Sequence, residues 1–310
     1  MKKKSFGICT IEAPCKINLH LSVGKKRGDG FHSIESIFAT LALSDTLRFE
    51  VGGQEGEIRL FTNWETSAEE IPDDKNLVLR AVSIFREQTG FKKGLIVRLD
   101  KRIPLGAGLG GGSSDAAAAL LALNLLSGAA FPISRLAAMA AALGSDVPFF
   151  LTGGTAFVSG RGEKVESVKS PEGLWVVLVK PPFASDTASA YRLLDRLRDQ
   201  GIIEENRAIS SETLLHAMSE NSEKWPFYND FLPAFQCREH SEFAANYIGI
   251  LDSLHNSGAS FVGISGSGSC CFCIFCTKIK AEKAAERFQE EGNTAILTFF
   301  LAHRANPVLE

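Results

Sequence analysis

Pro104-Leu-Gly-Ala-Gly-Leu-Gly-Gly-Gly-Ser-Ser-Asp115 packs five glycines into seven residues. A turn needs one or two; this density gives up side-chain packing and lets the backbone come close to a ligand. Directly behind it, residues 115–124 are strong helix formers. The loop therefore delivers its amides onto a helix N-terminus, where unpaired N–H groups and the dipole attract anions. A phosphate is the expected guest, with Ser113 and Ser114 adding hydroxyl donors or capping the helix. A Walker loop needs a lysine after its last glycine, and none lies between Lys101 and Lys164. Gly106, Gly108 and Gly111 fit the dinucleotide pattern. That fold, however, needs a second strand ending in an acidic residue, whereas residues 134–143 continue as helix. The strand, catalytic-loop and Asp-Phe-Gly signatures of a protein kinase are missing.

Working outward, residues 94–100 read as the strand that feeds the loop. Residues 8–13 and 17–23 alternate in the strand manner, which puts Lys16 and Asn18 on one face. Residues 25–32 form a basic, turn-rich loop, and 34–43 fit either a strand or a helix. Residues 47–51 and 57–61 read as strands, and 76–86 as a helix. After the loop helix and the 134–143 helix, residues 153–162 suggest short strands with glycine turns. From residue 175 the order is strand, helix (188–198), mixed helical segments to about 254, strands at 259–263 and 270–276, helix (280–290) and strand (295–301). This is an α+β organisation of sheets and helices. Residues 1–165 are expected to form one domain and 166–310 a second, packed closely enough to share a cleft.

The chain of 310 residues, 45% hydrophobic and 22% charged, has ample material for two cores. A net charge of −3 gives no general attraction for nucleic acid or anionic membrane, so neither is an expected partner and the ligand should be a small molecule. No apolar run is long enough for a membrane span, and the N-terminus does not read as a signal peptide, so a cytoplasmic location is expected. Of the seven cysteines, Cys270, Cys271, Cys273 and Cys276 crowd into one strand-like run. Their side chains alternate between faces and do not converge, so they are expected as reduced core thiols, with no metal site.

Five motifs fall in one order along the chain: Ala13-Pro-Cys-Lys-Ile-Asn18, Gly28-Asp-Gly-Phe-His32, the 104–115 loop, Gly144-Ser-Asp-Val-Pro148 and Ser265-Gly-Ser-Gly-Ser-Cys270. Together they resemble the GHMP small-molecule kinases over nearly the whole chain. The resemblance implies an N-terminal domain with a left-handed βαβ crossover, a ferredoxin-like C-terminal domain and an active site between them. It implies ATP as phosphoryl donor and a monomer or weak homodimer; Mg2+ is expected because ATP's oxygens need a hard cation, and the sequence offers no dedicated metal cage. Within the superfamily the likeness is to the branch whose acceptor carries cytidine diphosphate. There, ATP phosphorylates the 2-hydroxyl of a methylerythritol derivative in non-mevalonate isoprenoid synthesis.

What the resemblance implies for single residues follows from the motifs. Asp146 matches the base that accepts the alcohol proton, and Lys16 the cation that holds it ionised and neutralises transferring charge. Asn18 and Thr187 match substrate-contacting positions. His32 matches the residue that reads the cytosine edge, and Phe31 and Tyr191 the aromatics that enclose the ring; Phe31 stands where the family more often has Tyr. The ATP phosphates fall to the loop Pro104, Leu105, Gly106, Ala107, Gly108, Leu109, Gly110, Gly111, Gly112, Ser113 and Ser114. Asn76 and Lys101 match positions near the adenine and ribose, while Asp115, an Asn in some relatives, also suits a helix cap.

Plainer readings stay open at each site. They are a helix-end Asp146, a surface Lys16 or Lys101, an Asn18 at a solvated strand edge, an N-cap Thr187, ordinary packing of Phe31 and Tyr191, and a tight hairpin at 263–269. Two rival functions remain: a GHMP kinase for homoserine, mevalonate or a sugar, which has no use for an aromatic slot, and a non-catalytic nucleotide-binding regulator, which has no use for both Lys16 and Asp146. Asn229-Asp-Phe231 resembles a family motif without an assigned chemical role.

Overall fold

The computed structural model describes residues 7–63, 75–204, 209–237 and 244–310. Two long strands, β1 (Ile8–Lys26) and β2 (His32–Val51), form its spine as an antiparallel pair. Residues 34–43, which fit either period by sequence, belong to β2. Partners on both edges decide the matter there, as strand preference is largely a matter of context. β2 changes neighbour along its length: residues 34–39 pair with β5 (Thr155–Gly160), and residues 46–51 with β4 (Leu95–Asp100). The parallel partner of β4 is β3 (Ile58–Asn63), and the crossover between them carries α1 (Leu77–Thr89). β6 (Lys164–Val168) pairs with β5, and the short β11 (Val308–Leu309) returns to the outer edge of β1.

The second sheet takes β10 (Thr294–Phe299), β7 (Trp175–Lys180), β9 (Cys271–Phe275) and β8 (Phe261–Ile264) in that order, all neighbours antiparallel. Between β7 and β8 run α5 (Thr187–Asp199), α6 (Ser211–Ala217), α7 (Phe231–Gln236) and α8 (Ala244–His255); α9 (Lys278–Glu290) links β9 to β10. Numbered within the unit, the strand order is 4-1-3-2 with a βαββαβ chain order, the ferredoxin-like arrangement. The molecule is thus α+β, with the ferredoxin-like unit expected in its C-terminal part.

α2 (Gly111–Ser127) follows the glycine-rich loop, with residues 114–123 buried. A helix that is apolar all round must lie inside, and this one packs on β1, α1, α3 (Ile133–Leu143) and the one-turn α4 (Val147–Phe150). Its N-terminus, and with it the loop, is thereby fixed to the strand that carries Lys16. The thiols divide: Cys270, Cys271 and Cys273 are buried, whereas Cys276 emerges at the surface, just past the end of β9.

Candidate functional site

Lys16 and Asn18 sit on β1 between register shifts at Pro14/Lys16 and Asn18/His20. Such bulges re-aim side chains, and here both point into the space beneath the glycine loop. Lys16 is only 3% exposed; its Nζ donates to Asn18 Oδ1 at 2.6 Å and lies 3.7 Å from Asp146 Oδ2 and 4.8 Å from the centroid of the Phe38 ring. Burial pulls its pKa below the ordinary lysine value, while the nearby Asp146 charge resists that shift. Lys16 is interior rather than on the surface, whereas Asp146 does stand at a helix end, as the N-cap of α4, but makes no side-chain capping bond. The Asp146 carboxylate is instead about one-third exposed and faces the cavity.

The glycine loop closes over this pair. Lys16 N donates to Leu109 O at 2.9 Å. At Gly110, with φ +70, a Cβ would lie 2.9 Å from Phe150 Cζ and 3.1 Å from Lys16 Cγ, so a side chain there would press on Lys16 itself. α2 begins at Gly111 with Gly110 as N-cap and no side-chain capping bond. Ser113 and Ser114 lie inside the first turn rather than capping it, and Ser114 Oγ is buried with no hydrogen-bond partner. Uncapped amides at a half-exposed helix start are a ready anion site.

Lys101 and Asn76 take places that sequence alone does not reveal. Lys101 is buried beneath the loop, with Nζ 2.7 Å from Asp115 Oδ2 and also bonded to Asp45. The two carboxylates outweigh the effect of burial and raise the lysine pKa, and burial raises that of Asp115. Asp45 Oδ1 further accepts Arg102 N at 2.6 Å and Ile103 N at 2.8 Å. This buried cluster therefore ties the entry of the loop to β2. Asn76 is the N-cap of α1, accepting Val78 N at 2.9 Å. Asp115 is not a cap but a partner of Lys101 within α2.

On the opposite wall, Thr187, Tyr191 and Asp195 recur every four residues along α5 and so share a face. Tyr191 stacks on His32, with centroids 4.9 Å apart and planes at 28°. His32 Nε2 lies 2.8 Å from Asp195 Oδ1; a carboxylate only accepts, so Nε2 carries a proton, and in the neutral ring Nδ1 is the acceptor. Asp195 was missed in the sequence, although its spacing from Tyr191 was a usable signal. Phe31 is 50% exposed, and the Arg161 guanidinium lies 3.8 Å from its ring centroid. The imidazole of His32, rather than Phe31, is what covers Tyr191.

A cavity of about 250 Å³ gathers these parts: Lys16, Asn18 and Asp146 on one side, Thr187 and Tyr191 on the other, Gly108 and Gly110 above. Gly266 and Ser267 of the second glycine loop complete it, as does Phe231, the last residue of the Asn229-Asp-Phe231 motif to which the sequence assigned no role. Ser267 Oγ is 3.0 Å from Thr187 Oγ1, and Ser265 Oγ donates to Gly108 O at 2.9 Å. The 263–269 segment is a hairpin connection between β8 and β9 that also docks on the first glycine loop. Among the described residues no group of three His, Cys, Asp or Glu side chains could hold a metal ion, and no helix is long and apolar enough to cross a membrane.

Residues 76–154 match the GHMP kinases N terminal domain family and residues 202–294 the GHMP kinases C terminal family. The chain is 38% identical over 308 residues to 4-diphosphocytidyl-2-C-methyl-D-erythritol kinase of Synechococcus sp. CC9311, covering 95% of this chain and 97% of that protein. It is 37% identical over 265 residues to the chloroplastic 4-diphosphocytidyl-2-C-methyl-D-erythritol kinase of Oryza sativa subsp. japonica, a match that takes in 81% of this chain and 63% of the rice protein. A crystal structure of 4-(cytidine 5'-diphospho)-2C-methyl-D-erythritol kinase superposes with a TM-score of 0.75 at 32% identity, covering 94% of this chain and 98% of the other.

Proposed function

Because the chain belongs to the 4-diphosphocytidyl-2-C-methyl-D-erythritol kinase family of the GHMP kinases, we propose that it transfers the γ-phosphate of ATP to the 2-hydroxyl of 4-diphosphocytidyl-2-C-methyl-D-erythritol, forming ADP and the 2-phosphate. The observation that carries this reading is the Lys16–Asp146 pair, 3.7 Å apart, facing a cavity between two glycine loops. Phosphoryl transfer asks a protein mainly for positioning and charge stabilisation, with one group to take the hydroxyl proton. Asp146 accepts that proton. Lys16, held by Asn18, faces that carboxylate and offsets charge on the transferring oxygens. The uncapped start of α2 and the 104–114 loop bind the ATP phosphates, and the Asp45–Lys101–Asp115 cluster sets that loop from beneath while Asn76 caps the adjoining helix.

On the acceptor side, the cytosine is assigned to the stacked Tyr191 and His32, with Phe31 at the exposed edge and Nδ1 of a neutral His32 accepting from an exocyclic amine. Thr187 and Asn18 contact the remainder of the acceptor. Residues 1–165 supply the donor loop and the acid–base pair, and 166–310 the facing wall; every group comes from one chain. Mg2+ fits as an ion carried by the nucleotide, because among the described residues Asp146 is the one acidic side chain lining the cavity. Its charge would offset that of the phosphate oxygens.

The test is ADP release with MgATP and four acceptors: the cytidine diphosphate methylerythritol, mevalonate, homoserine and galactose. Turnover with the cytidine compound alone is expected, and Asp146→Asn should lower kcat by about 10²- to 10⁴-fold while leaving ATP binding intact. Turnover with another acceptor instead would discard the cytosine pocket. ATP binding with no turnover on any of the four would favour a regulatory protein.

A further inference from the structure

The segment Asn229-Asp-Phe231 has no part in the chemistry above, yet its first side chain is 94% buried with three well-formed bonds. Asn229 is 6% exposed; its Nδ2 donates to Ile264 O and to Gly266 O, each at 2.9 Å, and its Oδ1 accepts Phe231 N at 2.9 Å. Its backbone lies against β1: Leu21 pairs with Asn229 in an isolated parallel bridge, Leu21 N donates to Tyr228 O at 2.8 Å, and Asp230 N donates to Leu21 O at 3.0 Å. One residue thus joins the strand that carries Lys16 and Asn18 to the second glycine loop.

That loop, Ser265-Gly-Ser-Gly-Ser269, has no large side chain to pack, so hydrogen bonds decide where it stands. Gly266 borders the cavity, and a Cβ on it would lie 3.5 Å from Asn18 Oδ1 and 3.6 Å from Lys16 Nζ. The next residue, Ser267, meets Thr187 through its hydroxyl, and its carbonyl accepts Ser185 Oγ at 2.6 Å. A shift of the loop therefore changes the gap between Lys16 and the α5 wall.

We infer that Asn229 is a positioning residue: its carboxamide fixes the second glycine loop at its distance from Lys16 and Asn18 and so sets the width of the acceptor side of the cavity. The role needs both amide protons, because both targets are carbonyl oxygens. Asp has the same shape but, ionised, would turn two attractions into repulsions; protonated, it could donate to one carbonyl again. The kinetic readout of this inference rests on the kinase reading above, while the hydrogen-exchange readout does not.

The experiment compares wild-type protein with Asn229→Asp and Gly266→Ala in acceptor kinetics and in amide hydrogen exchange of residues 265–269. For Asn229→Asp, the acceptor KM should rise by at least about tenfold, since misplacement by an ångström already has large effects, with the ATP KM changing much less. The ratio of variant to wild-type kcat/KM should climb as pH falls from about 8 to about 6, as a buried carboxyl regains its proton. Exchange in 265–269 should be about tenfold faster, with β9 unchanged. Exchange at the wild-type rate together with an acceptor KM within about twofold would overturn the inference. Should wild-type protein ignore the cytidine compound, the kinase reading falls and the exchange comparison alone decides on Asn229. Gly266→Ala leaves Asn229 in place and intrudes on the same gap, so if Asn229→Asp fails to fold, an unchanged acceptor KM in Gly266→Ala overturns the inference instead.

Discussion

His20, two residues past Asn18 on β1, is 1% exposed, and its Nε2 has no hydrogen-bond partner. Burial pushes its pKa down to about 4, with the Asp230 charge opposing the shift. The unfolded chain takes up this proton near pH 6.5, whereas the folded chain resists until about pH 4. The stabilisation from a neutral His20 is therefore complete above pH 6.5 and lost as pH falls towards 4, by up to about 3 kcal/mol. Urea unfolding across this range should show the loss in wild-type protein and a flatter profile in His20→Gln; equal slopes would place the acid sensitivity elsewhere. At this scale the sequence was legible where chemistry follows local spacing. Lys16 and Asn18 were placed on one strand face, and the structure puts them there. Lys101 was not legible, because its partner Asp45 lies 56 positions away and no periodicity announces the bond. Arg161 over Phe31 belongs to the same kind, a contact between two hairpins with nothing local to signal it.

Among the elements, the two glycine loops depend on each other. Gly108 has φ +72, and a Cβ on it would collide with the Ser265 carbonyl oxygen and lie 2.8 Å from that of Gly268. Gly108→Ala should therefore force the loops apart and strain the backbone, lowering stability by about 1–3 kcal/mol. The KM for ATP should rise by about tenfold or more, since the amides facing the phosphates move with the loop. Calorimetry and ATP titration check the two effects, and a silent substitution would show that the loops adjust independently. Gly112 is a useful contrast, because a Cβ there comes no nearer than 3.7 Å to anything but its own turn. Several elements could be read from the sequence, α2 from its run of helix formers and α5 and the strand leading to the loop from their patterns. β2 could not, as its residues 34–43 satisfy two periods and only its partners β1 and β5 choose between them. The docking of one glycine loop on another was equally hidden, since glycine carries no side-chain pattern to read.

Across the whole molecule the two sheets do not have separate interiors. One connected group of buried side chains runs from Leu47 and Phe49 of the larger sheet to Val177 and Phe288 of the smaller part, and a second joins Ile17 and Ile37 to Val176 and Phe272. Heat unfolding should accordingly be a single cooperative transition, with calorimetric and van't Hoff enthalpies in agreement. Two resolved peaks would mean that the halves melt on their own. The order of elements foretold two sheet-and-helix units, but not that β11 would return from the C-terminus to the outer edge of β1. The cysteines have a practical consequence. Cys9, Cys15, Cys270, Cys271 and Cys273 are buried with pKa values raised by burial, so little thiolate is available in any of them at neutral pH. Cys276 is exposed beside Trp225 in a depression that shares no residue with the Lys16 cavity, and Cys237 is half-buried. Once Cys237 is replaced, a maleimide dye should attach at Cys276 alone, giving the protein a built-in fluorescent reporter next to an indole quencher.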